Sequence, residues 1–142
     1  MDIRNSEGYS DPTARDALSN IEREAKRLTF RPIVYICSPF SGEIERNQEN
    51  ARRYCRFAVE RGCIPLAPHL LFPQFLNDAD PAERELAMRM NMALLAKCAE
   101  VWVFGSRISQ GMAMEIGKAK RKCQAIRYFT TDCEEVHSGG IG

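Results

Sequence analysis

The chain has 142 residues, 44% of them hydrophobic and 27% charged, which is the make-up of one soluble globular domain with a single core. Its net charge of +1 gives no field that would gather nucleic acid or an anionic membrane surface. No apolar run approaches the roughly 18 residues of a membrane span.

The opening "MDIRNSEGYSDP" is polar and acidic, unlike a secretory signal peptide. Residues 1–30 read as a loose tail followed by an amphipathic helix. Ser10 or Asp11 can cap it, Pro12 suits its first position, and Ala14, Leu18, Ile21, Ala25 and Leu28 form a narrow apolar seam. That seam packs on its own domain or on a second subunit.

A nucleus of alternating strands and helices follows over residues 31–130. The run Ile33 to Cys37 is short, apolar and rich in β-branched and aromatic residues, the mark of a buried strand. It ends in a turn-forming cluster, Ser38, Pro39, Ser41 and Gly42. The next helix, in "EIERNQENARRYCRFAVERG", has Ala51, Tyr54, Cys55, Ala58 and Val59 on one face and Gly62 as its stop. "CIPLAP" gives a second strand despite Pro65. "HLLFPQFLNDADP" reads as a loop. Pro81 and the acids after it open a third helix, in which "MRMNM" reads as a core face filled by Met. "EVWVFG" and "QAIRYF" are the remaining strands; between them come the loop "SRISQ" and a helix opening within "ISQGMAMEIGKAKRK". The tail 131–142 is polar and is expected to fray.

This order predicts an α/β fold: a three-layer sandwich around a mainly parallel sheet of four to five strands, Rossmann- or flavodoxin-like, with an extra N-terminal helix. Such sheets bind ligands beyond the carboxyl ends of their strands. Two loops sit there, "CSPFSGEIERN" and "GSRISQGMAME", and are expected to face each other across one crevice. In the first, Ser38, Pro39, Phe40, Ser41 and Gly42 lead into a helix start, with Arg46, Asn47 and Asn50 within its next two turns. This is either a phosphate or ribose cradle or an ordinary capped turn. In the second, Gly105, Ser106, Ser109, Gly111 and Met112 precede or open another helix, and Glu115 follows among apolar neighbours. Glu115 reads equally as a shielded nucleophile or base and as a dipole-stabilising acid near a helix start.

Other chemistry is sparse. There is neither a G-x-G-x-x-G fingerprint nor a Walker lysine, and no cofactor is expected. The six cysteines form no C-x-x-C pair and no His is spaced to complete a zinc site; no metal is expected, and the thiols read as small core hydrophobes of a reducing cytoplasm. His69, between Pro68 and Leu70, is either structural or close enough to reach the crevice.

Three stretches, "VYICSPFSG", "CAEVWVF" and "SQGMAMEIGKA", resemble the nucleoside 2-deoxyribosyltransferase superfamily, including its nucleotide N-glycosidase branch, and neighbouring uncharacterised bacterial and phage proteins. The resemblance runs from Ile33 to Phe129. Its most specific part is a small–G–x–x–x–E–x–G–x–A pattern met here by Gly111, Glu115, Gly117 and Ala119. It implies that Glu115 attacks the anomeric carbon, that Ser109 holds a 5′-phosphate, and that Tyr35 and Ser38 to Gly42 surround the sugar. It implies a homodimer or higher homo-oligomer whose neighbour completes the pocket. One position departs: where many members have Asn-Asp and use the Asp on the base, this chain has Asn91-Met92.

The expected function is therefore an N-glycosidase or deoxyribosyltransferase acting on a nucleoside 5′-monophosphate or related nucleotide, with nucleotide or nucleoside as small-molecule partner and neither nucleic acid nor membrane. A nucleotide-binding module without turnover and a protein-interaction module are the alternatives. Glu115 in its full motif favours the first, and Met92 favours the second.

Overall fold

The computed structural model describes residues 20–21 and 30–137. The chain divides into two units, Met1–Arg31 and Pro32–Gly142, and the account below concerns the second. Of the N-terminal helix expected over 14–28, only Asn20 and Ile21 are described, and they are helical; the rest lies outside the described residues.

The sheet has five strands: β1 (Ile33–Cys37), β2 (Ile64–Leu66), β3 (Glu100–Phe104), β4 (Ala125–Phe129) and β5 (Glu135–Val136). Their order is β2-β1-β3-β4-β5. The first four run parallel, with Tyr35 opposite Leu66 on one side and Val101 on the other, and β5 pairs antiparallel with β4. This is the flavodoxin-like order, whose switch point lies between β1 and β3.

The described helices are α1 (Ile44–Glu60), α2 (Pro68–Leu71), α3 (Pro81–Leu95) and α4 (Gln110–Arg121). Their ends follow local chemistry. Asp80 accepts a hydrogen bond from the Ala82 N–H at 3.0 Å, and Pro81 occupies the first helical position of α3. Ser109 accepts one from the Met112 N–H at 3.2 Å to cap α4. Gly62, with φ of +82°, stops α1 in the left-handed region where a side chain is strained. Lys118, Lys120 and Arg121 end α4, where the dipole favours cations.

Alternation along the strands divides the core into two layers. Val34, Ile36, Trp102, Phe104 and Phe129 pack with Tyr54 and Ala58 of α1. Tyr35, Cys37, Val101 and Val103 pack with Leu95 of α3 and with Met112, Ile116 and Ala119 of α4. Helices on both faces complete the three-layer sandwich expected from the sequence.

The structure differs from the sequence reading in five places. The stretch read as a loop after β2 holds α2 and a 3-10 turn, Phe72–Gln74; Pro68 and Pro73 sit at first-turn positions that proline tolerates. The tail does not simply fray: residues 135–136 form β5, fastened by Arg127, whose Nε and Nη2 donate to Glu135 at 2.8 and 2.7 Å. Val59 of the supposed buried face of α1 is 42% exposed. In "MRMNM" the buried residue is Asn91, not a methionine. Among the cysteines Cys37, Cys63 and Cys98 are buried, whereas Cys123 is exposed.

Candidate functional site

A cavity of about 530 Å³ opens between α2, α3 and the start of α4, a volume in the range of small-molecule sites. Glu115 lies in its wall, 1% exposed. It stands in the second turn of α4, beyond the free N–H groups that a dipole-stabilising acid would meet. The Tyr35 hydroxyl donates to Oε2 at 2.7 Å, while Oε1 has no hydrogen-bond partner.

Electrostatics follow from that placement. Burial pushes the Glu115 carboxyl up to about 6, against the lowering effect of the Tyr35 hydrogen bond and of the Cys37 thiol nearby. Burial likewise raises the Tyr35 hydroxyl and the Cys37 thiol, and the nearby Glu115 charge raises both further. Tyr35 therefore keeps its proton and holds the carboxylate as a donor. Tyr35, expected to be catalytic, does not line the cavity, and its contact with the site is this hydrogen bond to the carboxylate.

The remaining expected residues fall into three groups. Phe40, Ser41, His69, Asn91, Ser109, Gly111 and Met112 line the same cavity as Glu115. Asn91 is 4% exposed and its Oδ1 has no partner; Met92, the departing position, is not in the lining. Ser38, Pro39, Asn47 and Gly105 line a second cavity of about 200 Å³. The expectation of one crevice is thus corrected: the segment Ser38 to Ser41 passes between two cavities, with its first half facing one and its second half the other.

Gly42 and Arg46 line neither cavity. The helix N-terminus they were expected to offer an anion is already supplied with carboxylates, Glu43 at the cap and Glu45 in the first turn. Arg46 is turned to Glu43, Nη1 to Oε1 3.3 Å. Asn47 donates to the Phe40 and Ser41 carbonyls at 2.9 and 3.0 Å, fixing the loop. The glycines of the α4 motif are not forced by close backbone approach: a Cβ at Gly111 would meet Met88 Cε at 3.5 Å, and one at Gly117 the Arg121 Nη1 at 3.5 Å, both ordinary contacts.

His69 stacks on Phe40 with ring centroids 4.9 Å apart. Burial lowers its imidazole to about 4, against the raising effects of Asp78 and of a hydrogen bond to the Ser38 backbone. It is neutral at physiological pH and serves as an aromatic wall. Sequence reasoning missed the charged part of the lining: Asp78, Glu83, Arg84 and Glu85. The acidic opening of α3 was visible, but only the fold shows that this helix end faces Glu115.

No helix among the described residues is long and apolar enough to cross a membrane. No curated protein matches the sequence. Among solved structures, a 2-deoxyribosyltransferase from the psychrotolerant bacterium Bacillus psychrosaccharolyticus, described as a suitable biocatalyst for the synthesis of antiviral and antitumoral nucleosides, shares the fold. Its TM-score is 0.58 at 14% identity, covering 69% of this chain and 72% of the other. That is a likeness of architecture. Residues 32–129 match the family model described as a domain of unknown function, DUF7768, and the chain belongs to that family.

Proposed function

We propose that this protein cleaves the N-glycosidic bond of a nucleoside 5′-monophosphate or related nucleotide through Glu115. The observation that carries the reading is one carboxylate, buried in a cavity wall, held through Oε2 by Tyr35 and unpartnered at Oε1.

In this reading Oε1 attacks C1′. The bond to the base breaks, the electron pair leaves with the base, and the base takes up a proton. The sugar is then an ester of Glu115. Water attacks C1′ in hydrolysis, or a second base does so in transfer; the ester C–O bond breaks and the carboxylate is restored. The Tyr35 hydrogen bond holds Oε2 so that Oε1 is the free oxygen. Asn91, whose side chain lines the same wall, offers its amide to the base. Ser41, Ser109 and the N-terminus of α4 offer donors to a 5′-phosphate. The cavity also carries Asp78, Glu83 and Glu85 against Arg84, so a dianion gains less here than at an all-basic site.

The test is release of free base from a panel of nucleosides and their 5′-monophosphates, with wild type beside Glu115→Gln. Turnover by wild type and its loss in the variant support the reading. Equal turnover by both removes Glu115 from the mechanism. Ser109→Ala should weaken the monophosphate far more than the matching nucleoside, and equal losses refute the phosphate role.

Binding without turnover is favoured by one observation, the 1% exposure of Glu115. Thermal stabilisation by nucleotides with no base released would establish it. The enzymatic reading also carries a homo-oligomer. Met114, 48% exposed, lines the cavity, and exposed Phe75 and Leu86 adjoin lining residues. Sedimentation analysis tests this, with a monomer at all concentrations as the contrary result.

A further inference from the structure

The smaller cavity, of about 200 Å³, lies on the α1 side of the segment Ser38 to Ser41, away from Glu115. Its floor is the stacked pair Tyr54 and Phe104, with ring centroids 4.1 Å apart. Around that apolar floor stand Ser38, Asn50, Ser106, Arg107 and Thr131, and none of the lining residues is a carboxylate. The Glu115 cavity, with four acids to one arginine, has the opposite character.

Three donors are among its lining. Ser38 is 1% exposed and its hydroxyl has no hydrogen-bond partner; a hydroxyl buried that way is disfavoured unless a ligand completes it. The Asn50 Oδ1 accepts from Arg53 Nη2 at 3.0 Å, which leaves the Asn50 amide N–H groups to donate elsewhere. Arg53 is itself anchored on the Thr131 carbonyl at 3.0 Å. Arg107 lines the cavity and makes no ion pair among the described residues. It is brought there by Gly105, whose φ of +94° turns the chain out of β3 in a conformation a side chain would strain.

We propose that this cavity binds a small oxyanion, inorganic phosphate or the phosphate of a phosphomonoester, through Ser38, Asn50 and Arg107. A hydroxyl, an amide and a free guanidinium match the acceptors of a tetrahedral anion. The volume suits one phosphate group with a small substituent and is below that of typical sites for larger ligands. Occupancy would also fix Ser38 and Pro39, and through them the loop whose Phe40 and Ser41 wall the Glu115 cavity.

The experiment is titration of the full chain with inorganic phosphate, and in a second arm with ribose 5-phosphate, at constant ionic strength, read by calorimetry. Saturable binding is expected. Arg107→Ala and Ser38→Ala should each weaken it about ten-fold or more, the loss of one hydrogen bond to a charged group. Glu115→Gln should leave the inorganic-phosphate isotherm unchanged. Ser38→Ala removes only an unpartnered hydroxyl, so its melting temperature without phosphate should match or exceed wild type, which separates misfolding from lost affinity. Tighter binding in one arm identifies the source of the anion. No saturable binding in either arm overturns the proposal. So does binding that survives Arg107→Ala, or binding lost in Ser109→Ala alone, which would place the phosphate beside Glu115. Because Glu115→Gln removes turnover but not this binding, failure here and failure of the glycosidase reading are distinguishable.

Discussion

Alternate residues of β1 serve two different interiors. Val34 and Ile36 point toward α1 and join an aromatic layer: Phe104 stacks on Phe129 at 5.0 Å, Trp102 lies at 5.0 Å from the same ring, and Phe57 meets it edge-on at 5.3 Å. Tyr35 and Cys37 point toward α4 and meet a buried carboxylate. The first interior buries large apolar surfaces in favourable ring geometries. The second leaves Glu115 Oε1 and Asn91 Oδ1 without partners, an arrangement that opposes folding. One layer holds the domain together, and the other spends part of that stability on keeping polar groups dry.

The comparison breaks first at Glu115. Glu115→Gln should lower turnover by at least about a thousand-fold if it is the nucleophile. In the aromatic layer, Phe129→Ala should cost about 3–5 kcal/mol of stability in denaturant titration and leave the Glu115 cavity chemistry intact wherever the protein stays folded. A loss under 1 kcal/mol would mean this layer is not the mainstay.

The third expectation concerns pH. The Glu115 carboxyl sits at about 6 in the fold against an ordinary 4.5. An acid with a raised folded value destabilises the fold where it is ionised in both states. The penalty, about 2 kcal/mol, is full above pH 6 and fades as pH falls toward 4.5. Glu115→Gln should therefore be more stable than wild type at pH 7.5, with the difference shrinking by pH 4.5. His69, lowered to about 4, works in the opposite direction: its stability is full above about pH 6.5 and is lost toward pH 4. Only the difference between wild type and Glu115→Gln isolates the carboxylate. If Glu115 is the nucleophile it must be ionised to attack, so turnover should rise with pH through about 6.

Tyr35→Phe comes next. Loss of one hydrogen bond to a buried carboxylate, about 1.5–3 kcal/mol, should slow turnover by tens of fold and move the rising limb of the pH profile upward. A profile that stays in place would show that Tyr35 does not position Glu115. The smallest effect belongs to the edge of the sheet. Arg127→Ala breaks the paired contact to Glu135, part of whose strength solvent screens, and should cost about 1 kcal/mol without altering turnover.

Much of this division is legible in the sequence. The β-branched and aromatic runs of β1 and β3 mark buried strands because they are apolar on both faces. Glu115 stands out as an acid inside the apolar stretch "GMAMEIG", although sequence alone reads it equally as a dipole-stabilising residue near a helix start. What escaped depends on tertiary context. Whether Met88 fills a core or lines a cavity is set by the crossing of α3 over Gly111, which periodicity does not encode. Two loops at adjacent strand ends imply one crevice until the path of Ser38 to Ser41 between them is known. Asn91 entered only through the family resemblance, and its burial in a cavity wall shared with Glu115 required the fold. Strand β5 is two residues long, too short for any alternation to show, and its fastening is a side-chain pair eight residues apart.

The most direct measurement is the mass of the protein after incubation with 2′-deoxy-2′-fluoroarabinosyl nucleosides, whose fluorine slows release of a sugar ester. The account predicts a sugar adduct on the peptide that carries Glu115 and none on Glu115→Gln. Sugar attached at another residue, or base release that continues undiminished in Glu115→Gln, would contradict it.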